Sequence, residues 1–177
     1  MFKILIGVVV VTIAVIAAFV LIDPTKMNSS ATGTVTEVAS TFTVAIEGEV
    51  YKTGNYTMSE GSTMLDLITT AGGTTVNADS RAYYEEAEIT KGMTYYIASR
   101  YDASDICSAS EVNKVNINMD DAETLSTVSG ITSTLANSIV SYRSEKGLFS
   151  TLEQLMEVYG IGNATYRKIR SYVILHA

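Results

Sequence analysis

Between Leu125 and Tyr172 the chain repeats itself at an offset of thirty residues, and this repeat restricts the fold more than any other feature. Leu125 matches Leu155, Val128 matches Val158, Gly130-Ile131 matches Gly160-Ile161, Ile139 matches Ile169, and Ser141-Tyr142 matches Ser171-Tyr172. These identities fall where a pair of helices needs them. The Leu and Val close a first helix onto a second, the Ile after the glycine plugs the corner, and the later Ile packs the second helix back. Each half therefore predicts helix, tight turn, helix. The first pair begins near Asn118 and Asp120, which can cap, and runs to Val128; its partner spans about Ser133 to Lys146 and stops at Gly147. Ser150-Thr151-Leu152-Glu153 predicts a capping box opening a third helix, and a fourth runs from about Asn163 to Leu175.

The turns carry the chemistry. In Gly160-Ile161-Gly162 the two glycines let the chain turn sharply and leave no side chain between backbone and ligand. Asn163 and Ala164 then begin a helix whose first amides lack partners. Those amides and the positive end of the helix dipole predict an anion site. Arg167 and Lys168 lie one turn further on, within reach of a second phosphate. Such contacts touch the backbone of a nucleic acid and not its base edges, so they predict binding without sequence preference. The halves are unequal. In the first turn, Gly130-Ile131-Thr132, a threonine replaces the second glycine, and Asn137-Ser138 stand where the second half has Arg167-Lys168. The second hairpin is therefore expected to be the main contact. The first is expected to bind weakly through the amides after Gly130, or only to support the core. The competing reading, a structural four-helix unit whose glycines only form turns, is weakened by two copies in matching helix contexts.

Net charge is -7, which by itself argues against nucleic acid. Its distribution changes the argument. Residues 1–112 hold thirteen acidic and six basic residues, whereas 113–177 hold six of each, three of the basic ones between Arg167 and Arg170. A local patch can bind phosphate on a chain of negative total charge. Cys107 is the one cysteine and His176 the one histidine. No disulfide framework, thiolate metal site, cofactor site or catalytic constellation is predicted from them. Glu85-Glu86-Glu88 reads as a solvated acidic face rather than a metal site, so an enzyme such as a nuclease is not expected.

Ile4 to Ile22 is nineteen residues without a charge. At about 1.5 Å per residue it spans roughly 28 Å, close to the hydrocarbon core of a bilayer. A cleaved signal peptide would have a shorter apolar core and a small-x-small site; here the run ends Leu21-Ile22-Asp23-Pro24. Residues 1–23 are thus expected to be a single-pass transmembrane anchor in the cell membrane. The short N-terminal tail stays in the cytoplasm and the bulk of the chain is extracytoplasmic. Residues 24–40, rich in Ser, Thr and Gly, read as a tether, and 99–113 as a second linker holding Cys107. A free thiol there could form an intermolecular disulfide, against the blander reading of an incidental residue.

Residues 41–98 read as a small domain. Thr41 to Ile46 alternates with period two as a half-buried strand. Gly54-Asn55 marks a turn between strand-like pieces. Ser62 to Ala71 reads as a helix capped by Ser62, with an apolar stripe of Met64, Leu65, Leu67 and Ile68, ending at Gly72-Gly73. Met93 to Ala98 is a last strand. This stretch resembles the SLBB family, a β-grasp-like module, through Gly48-Glu49-Val50, Gly54-Asn55-Tyr56, Ala71-Gly72-Gly73-Thr74 and Gly92-Met93-Thr94-Tyr95-Tyr96-Ile97. The family usually has proline where Thr53 stands, and Arg81 to Ile89 matches poorly. The fold class is therefore α+β: a transmembrane helix, an SLBB-like domain and, over 114–177, an all-α tandem helix-hairpin-helix domain.

With the double hairpin, the chain resembles the ComEA family of competence DNA receptors. Val115-Asn116-Ile117-Asn118, Tyr142-Arg143, Gly147-Leu148-Phe149, Leu155 and Gly160-Ile161-Gly162 carry that likeness. Thr132 and Leu135 depart from it, since the family usually has Gly-Ile-Gly in the first hairpin too, with lysine after it. The resemblance implies a receptor that binds double-stranded DNA and hands it to an uptake channel, with pilus components as further partners, during transformation. It also implies a homo-oligomer formed through the SLBB-like domain. The alternative is an SLBB-type membrane protein that binds a soluble ligand or polysaccharide and whose helical tail mediates protein contacts.

Overall fold

The alternation that begins at Thr41 forms β1 (Thr41–Gly48), the central strand of a three-stranded sheet, with Val44 and Ile46 buried on one face. The computed structural model describes residues 40–102 and 110–177. The expected anchor, nearly all of its tether, and Cys107 lie outside them. Among the described residues, no helix is long and apolar enough to cross a membrane.

β2 (Gly54–Ser59) pairs antiparallel with β1, with Val44 opposite Tyr56 and Phe42 opposite Met58. β3 (Thr94–Ile97) pairs parallel with it on the other side, Ile46 opposite Tyr95. Helix α1 (Met64–Thr70) follows β2 and buries Met64, Leu67 and Ile68 in the core of this sheet. Its cap is Thr63 and not Ser62. The Thr63 amide donates to Asp66 Oδ2 at 2.8 Å, and the Asp66 amide donates back to Thr63 Oγ1. That reciprocal pair satisfies two orphan amides and outcompetes a serine one residue earlier. Leu65, expected on the apolar stripe, faces outward and is 46% exposed.

The second half runs β4 (Val115–Asn116), α2 (Ala122–Leu125), α3 (Ser133–Lys146), a 3₁₀ helix over Leu152–Glu157, α4 (Asn163–Ile169) and β5 (Val173–Ile174). Every apolar pair matched in the repeat is buried: Leu125 with Leu155, Val128 with Val158, Ile131 with Ile161, Ile139 with Ile169. The tyrosines are not equivalent. Tyr142 stacks on Phe149, with centroids 4.8 Å apart, whereas Tyr172 is 44% exposed.

Three expectations about this half change. The fourth helix ends at Ile169 rather than Leu175. The chain then runs extended so that β5 pairs parallel with β4, the Val115 amide donating to the Tyr172 carbonyl and the Ile117 amide to that of Ile174. The domain is therefore not wholly α; its last residues close on its first. The third helix is 3₁₀ rather than α, and its capping box sits one residue later, with Gln154 Oε1 accepting from the Ser150 and Thr151 amides. Glu153 is thereby free to turn inward. It is buried, and its Oε1 accepts from the Tyr166 hydroxyl at 2.8 Å and the Tyr96 amide at 2.9 Å.

That last bond joins the halves. Residues 40–177 form one unit, held across the seam by polar contacts of two kinds. At one place Asp79, buried, pairs with Arg81 at 2.9 Å and with the buried ammonium of Lys114 at 2.8 Å. Burial pushes the Asp79 carboxyl up, but its two cations outweigh that and hold it at about 2. At the other, Glu153 caps the outer edge of β3 through Tyr96, and Arg170 lies 3.9 Å over the Tyr96 ring while pairing with Glu47 at 3.1 Å. A free sheet edge is a template for unwanted pairing; here a carboxylate takes up the Tyr96 donor on that edge. The polar run after Ala98 is also tied where it is described: Arg100 pairs with Glu111 at 2.6 Å, and Tyr101 bridges to Glu111.

Candidate nucleic-acid interface

Both turns have the backbone shape their glycines predict. Gly130 has φ +110° and Gly160 φ +92°, a region side chains rarely adopt. In each, the Ile after the glycine bonds back to the Val two residues before it, Ile131 to Val128 at 2.9 Å and Ile161 to Val158 at 3.0 Å. Ile131 and Ile161 are buried plugs and not contact residues; their side chains are each 3% exposed.

The third turn position separates the hairpins. Gly162 has φ -97°, which any residue can adopt, and nothing lies within 4 Å of where a side chain would begin. Its lack of a side chain therefore leaves open space over the amides that follow, at Asn163 and Ala164, which no side chain caps. Thr132 occupies the same position in the first hairpin. Its hydroxyl accepts from the Leu135 amide at 3.3 Å, taking up one of the orphan donors. Helix length runs the other way. α3 has fourteen residues and α4 seven, so the first turn sits at the end of the longer dipole.

The cations are not where the sequence order suggests. A Cβ added at Gly130 would stand 3.0 Å from Lys168 Cδ and 3.3 Å from its Cε. The lysine of the second hairpin thus lays its stem across the turn of the first. The exchange is mutual, because Leu135 Cδ2 would be 2.8 Å from a Cβ at Gly160. Each turn is covered by the other hairpin's helix, by a cationic chain on one side and an apolar one on the other. Arg167 is exposed, but it lines a groove with Asn163, Arg170, Glu47 and Met93, facing the sheet domain. Three of the four other basic residues of this half are committed elsewhere. Lys114 pairs with Asp79, Arg170 pairs with Glu47, and Arg143 donates to the carbonyls of Ile117 at 2.7 Å and Asp120 at 2.6 Å.

The residues singled out from sequence therefore divide into groups. Gly130, Thr132 and Lys168 come together at the first turn; Gly160, Gly162, Asn163 and Ala164 form the second; Arg167 stands apart from both. Sequence order missed Leu135 and Lys168 as crossing residues, and it missed Tyr159, which precedes Gly160 and is 89% exposed. A signal existed for Tyr159, since its repeat mate is Ser129. Glu85, Glu86 and Glu88 are exposed, and no group of acidic, His or Cys side chains among the described residues could hold a metal ion.

The same segments are recognisable in known families. A helix-hairpin-helix motif is matched over residues 110–174 and an SLBB domain over 43–95. ComE operon protein 1 of Bacillus subtilis is 33% identical over 147 residues, covering 77% of this chain and 71% of that protein. The chain belongs to the ComEA family. An uncharacterised protein of Haemophilus influenzae is 34% identical over 92 residues, 51% of this chain and 82% of its own length.

Proposed function

We propose that this ComEA-family chain is a membrane-anchored, extracytoplasmic receptor that binds double-stranded DNA through its phosphate backbone, without sequence preference, for uptake in natural transformation. The observation that carries this reading is the exchange of side chains between the turns. Lys168 on Gly130 and Leu135 on Gly160 fix the amides after the first turn, one of them taken by Thr132, and the uncapped amides after the second as one rigid pair, which suits two phosphates of one duplex. The second turn offers open amides and the first a longer dipole and a cation. Glycine-lined amides and a lysine carry no information about base edges.

Such a site makes about two to four phosphate contacts. Its affinity is modest and falls with salt at about -0.9 per contact in a log–log plot. Chains tethered on one membrane and clustered through the SLBB domain gain avidity by a factor of about 10² to 10⁴. The anchor over residues 1–23 and the clustering belong to this proposal, as do the uptake channel and pilus components as partners.

The test is fluorescence anisotropy of the full chain in detergent with two duplexes of unrelated sequence at about 20–50 mM salt. Equal binding of both, lost in Lys168→Glu, is expected. No binding, or binding to one duplex alone, contradicts the proposal.

A further inference from the structure

Beside the second turn a groove of about 660 Å³ runs along α3, and none of the duplex contacts above uses it. Its outer wall is Tyr159, 89% exposed and adjacent to Gly160. Tyr142 lines it too and is fixed, with its hydroxyl donating to Glu157 Oε2 at 2.7 Å and its ring stacked on Phe149. That bond to Glu157 holds the phenol up at about 12. Asn137, Glu145 and Lys146 also line it and make no side-chain bond to another described residue.

This lining suits a base and repels a phosphate. Glu145 and Glu157 outnumber Lys146, so the groove is net negative, which a phosphate avoids. An amide such as Asn137 can pair with adenine N6 and N7, and a carboxylate accepts from an exocyclic amino group. An exposed aromatic ring offers its face to any base. A base inside a duplex has both faces covered by its neighbours, so only an unpaired one can use Tyr159. We propose that this groove takes an unpaired nucleobase of a strand whose phosphate lies at the Gly160–Gly162 turn, with Tyr159 as the stacking platform. The inference rests on the phosphate-binding reading of that turn and adds a preference for single-stranded ends or gaps.

The chain contains no tryptophan, so Tyr159→Trp creates a lone fluorescent reporter in the full chain. Its emission is expected to be quenched by oligo(dA) and oligo(dC) and not by a blunt duplex. In anisotropy, Tyr159→Ala is expected to weaken single-strand binding about tenfold, within the range for one stacked base. It should change blunt-duplex binding less than twofold, and Tyr159→Phe should behave as wild type. Equal losses for single strand and duplex would make Tyr159 part of the duplex grip and overturn the proposal. Single-strand binding unchanged in Tyr159→Ala would overturn it too, as would quenching by a neutral oligosaccharide but not by oligonucleotides. Duplex binding without single-strand binding in the wild type defeats this inference alone; binding of neither defeats the phosphate reading as well. Tyr159 is solvent-facing, and matching thermal melts of the variants verify that the fold is retained.

Discussion

The turn at Gly130 and the turn at Gly160 have the same backbone shape and different neighbours. The first is capped by Thr132, backed by a fourteen-residue helix and covered by Lys168. The second is uncapped, backed by seven residues and covered by Leu135. Duplication of a unit therefore preserves its core and backbone geometry while the means of attracting an anion drift apart. The lost cation of the first hairpin is replaced from across the interface. In the proposed receptor, a degraded repeat stays functional because its partner packs close enough to lend a side chain.

The largest expected effect tests the shared part. Ile139 and Ile169 are matched and fully buried, so Ile139→Ala and Ile169→Ala should each cost about 3 kcal/mol in denaturant unfolding. Losses differing by more than about 1.5 kcal/mol would mean the two cores are not equivalent. Next come the glycines. Gly130→Ala meets Lys168 and Ile169 atoms at 3.0–3.1 Å with φ +110° and should cost about 2 kcal/mol. At Gly162, where φ is -97° and the space is open, installing the first hairpin's cap with Gly162→Thr should raise stability by about 0.3 kcal/mol and weaken duplex binding. Unchanged DNA affinity in that variant would mean the open amides are not a contact.

The hairpins should also answer pH in opposite directions. Lys114 ties the strand that leads into the first hairpin to Asp79, whose carboxyl is held at about 2 against an ordinary 3.8. A depressed acid stabilises above its ordinary value and loses that contribution as pH falls toward 2, here roughly 2 kcal/mol. Glu153 ties the second hairpin to Tyr96, and burial raises its carboxyl above the ordinary 4.5. Its contribution is present below 4.5 and is lost as pH rises through the raised value. Amide-exchange protection around Ile117 should therefore fall on acidification below about pH 4, while that around Tyr166 should not. Parallel changes in both would break the contrast.

Much of this was legible in the sequence. The thirty-residue offset names the buried Leu, Val and Ile pairs and both positive-φ glycines, because burial and tight turns demand particular residue types locally. The crossing of Lys168 was not legible. Helical spacing says which face a residue occupies but not which hairpin that face meets. For the same reason Arg167 and Lys168, adjacent in sequence, part company. Glu153 read as a capping residue because a buried carboxylate depends on donors from Tyr96 and Tyr166, one of them 57 positions away. The end of α4 at Ile169 depends likewise on a distant strand at Val115.

The central claim is that Lys168 serves the first turn. A double-mutant cycle on duplex affinity and salt slope tests it directly, using Thr132→Asp and Gly162→Asp, both competent helix caps, each with and without Lys168→Ala. Alone, Lys168→Ala should flatten the salt slope by about 0.9. This loss should largely disappear in the Thr132→Asp background, where the new carboxylate already neutralises the lysine, and persist in full in Gly162→Asp. The reverse pattern, loss intact with Thr132→Asp and absent with Gly162→Asp, would place Lys168 at its own turn and contradict the account.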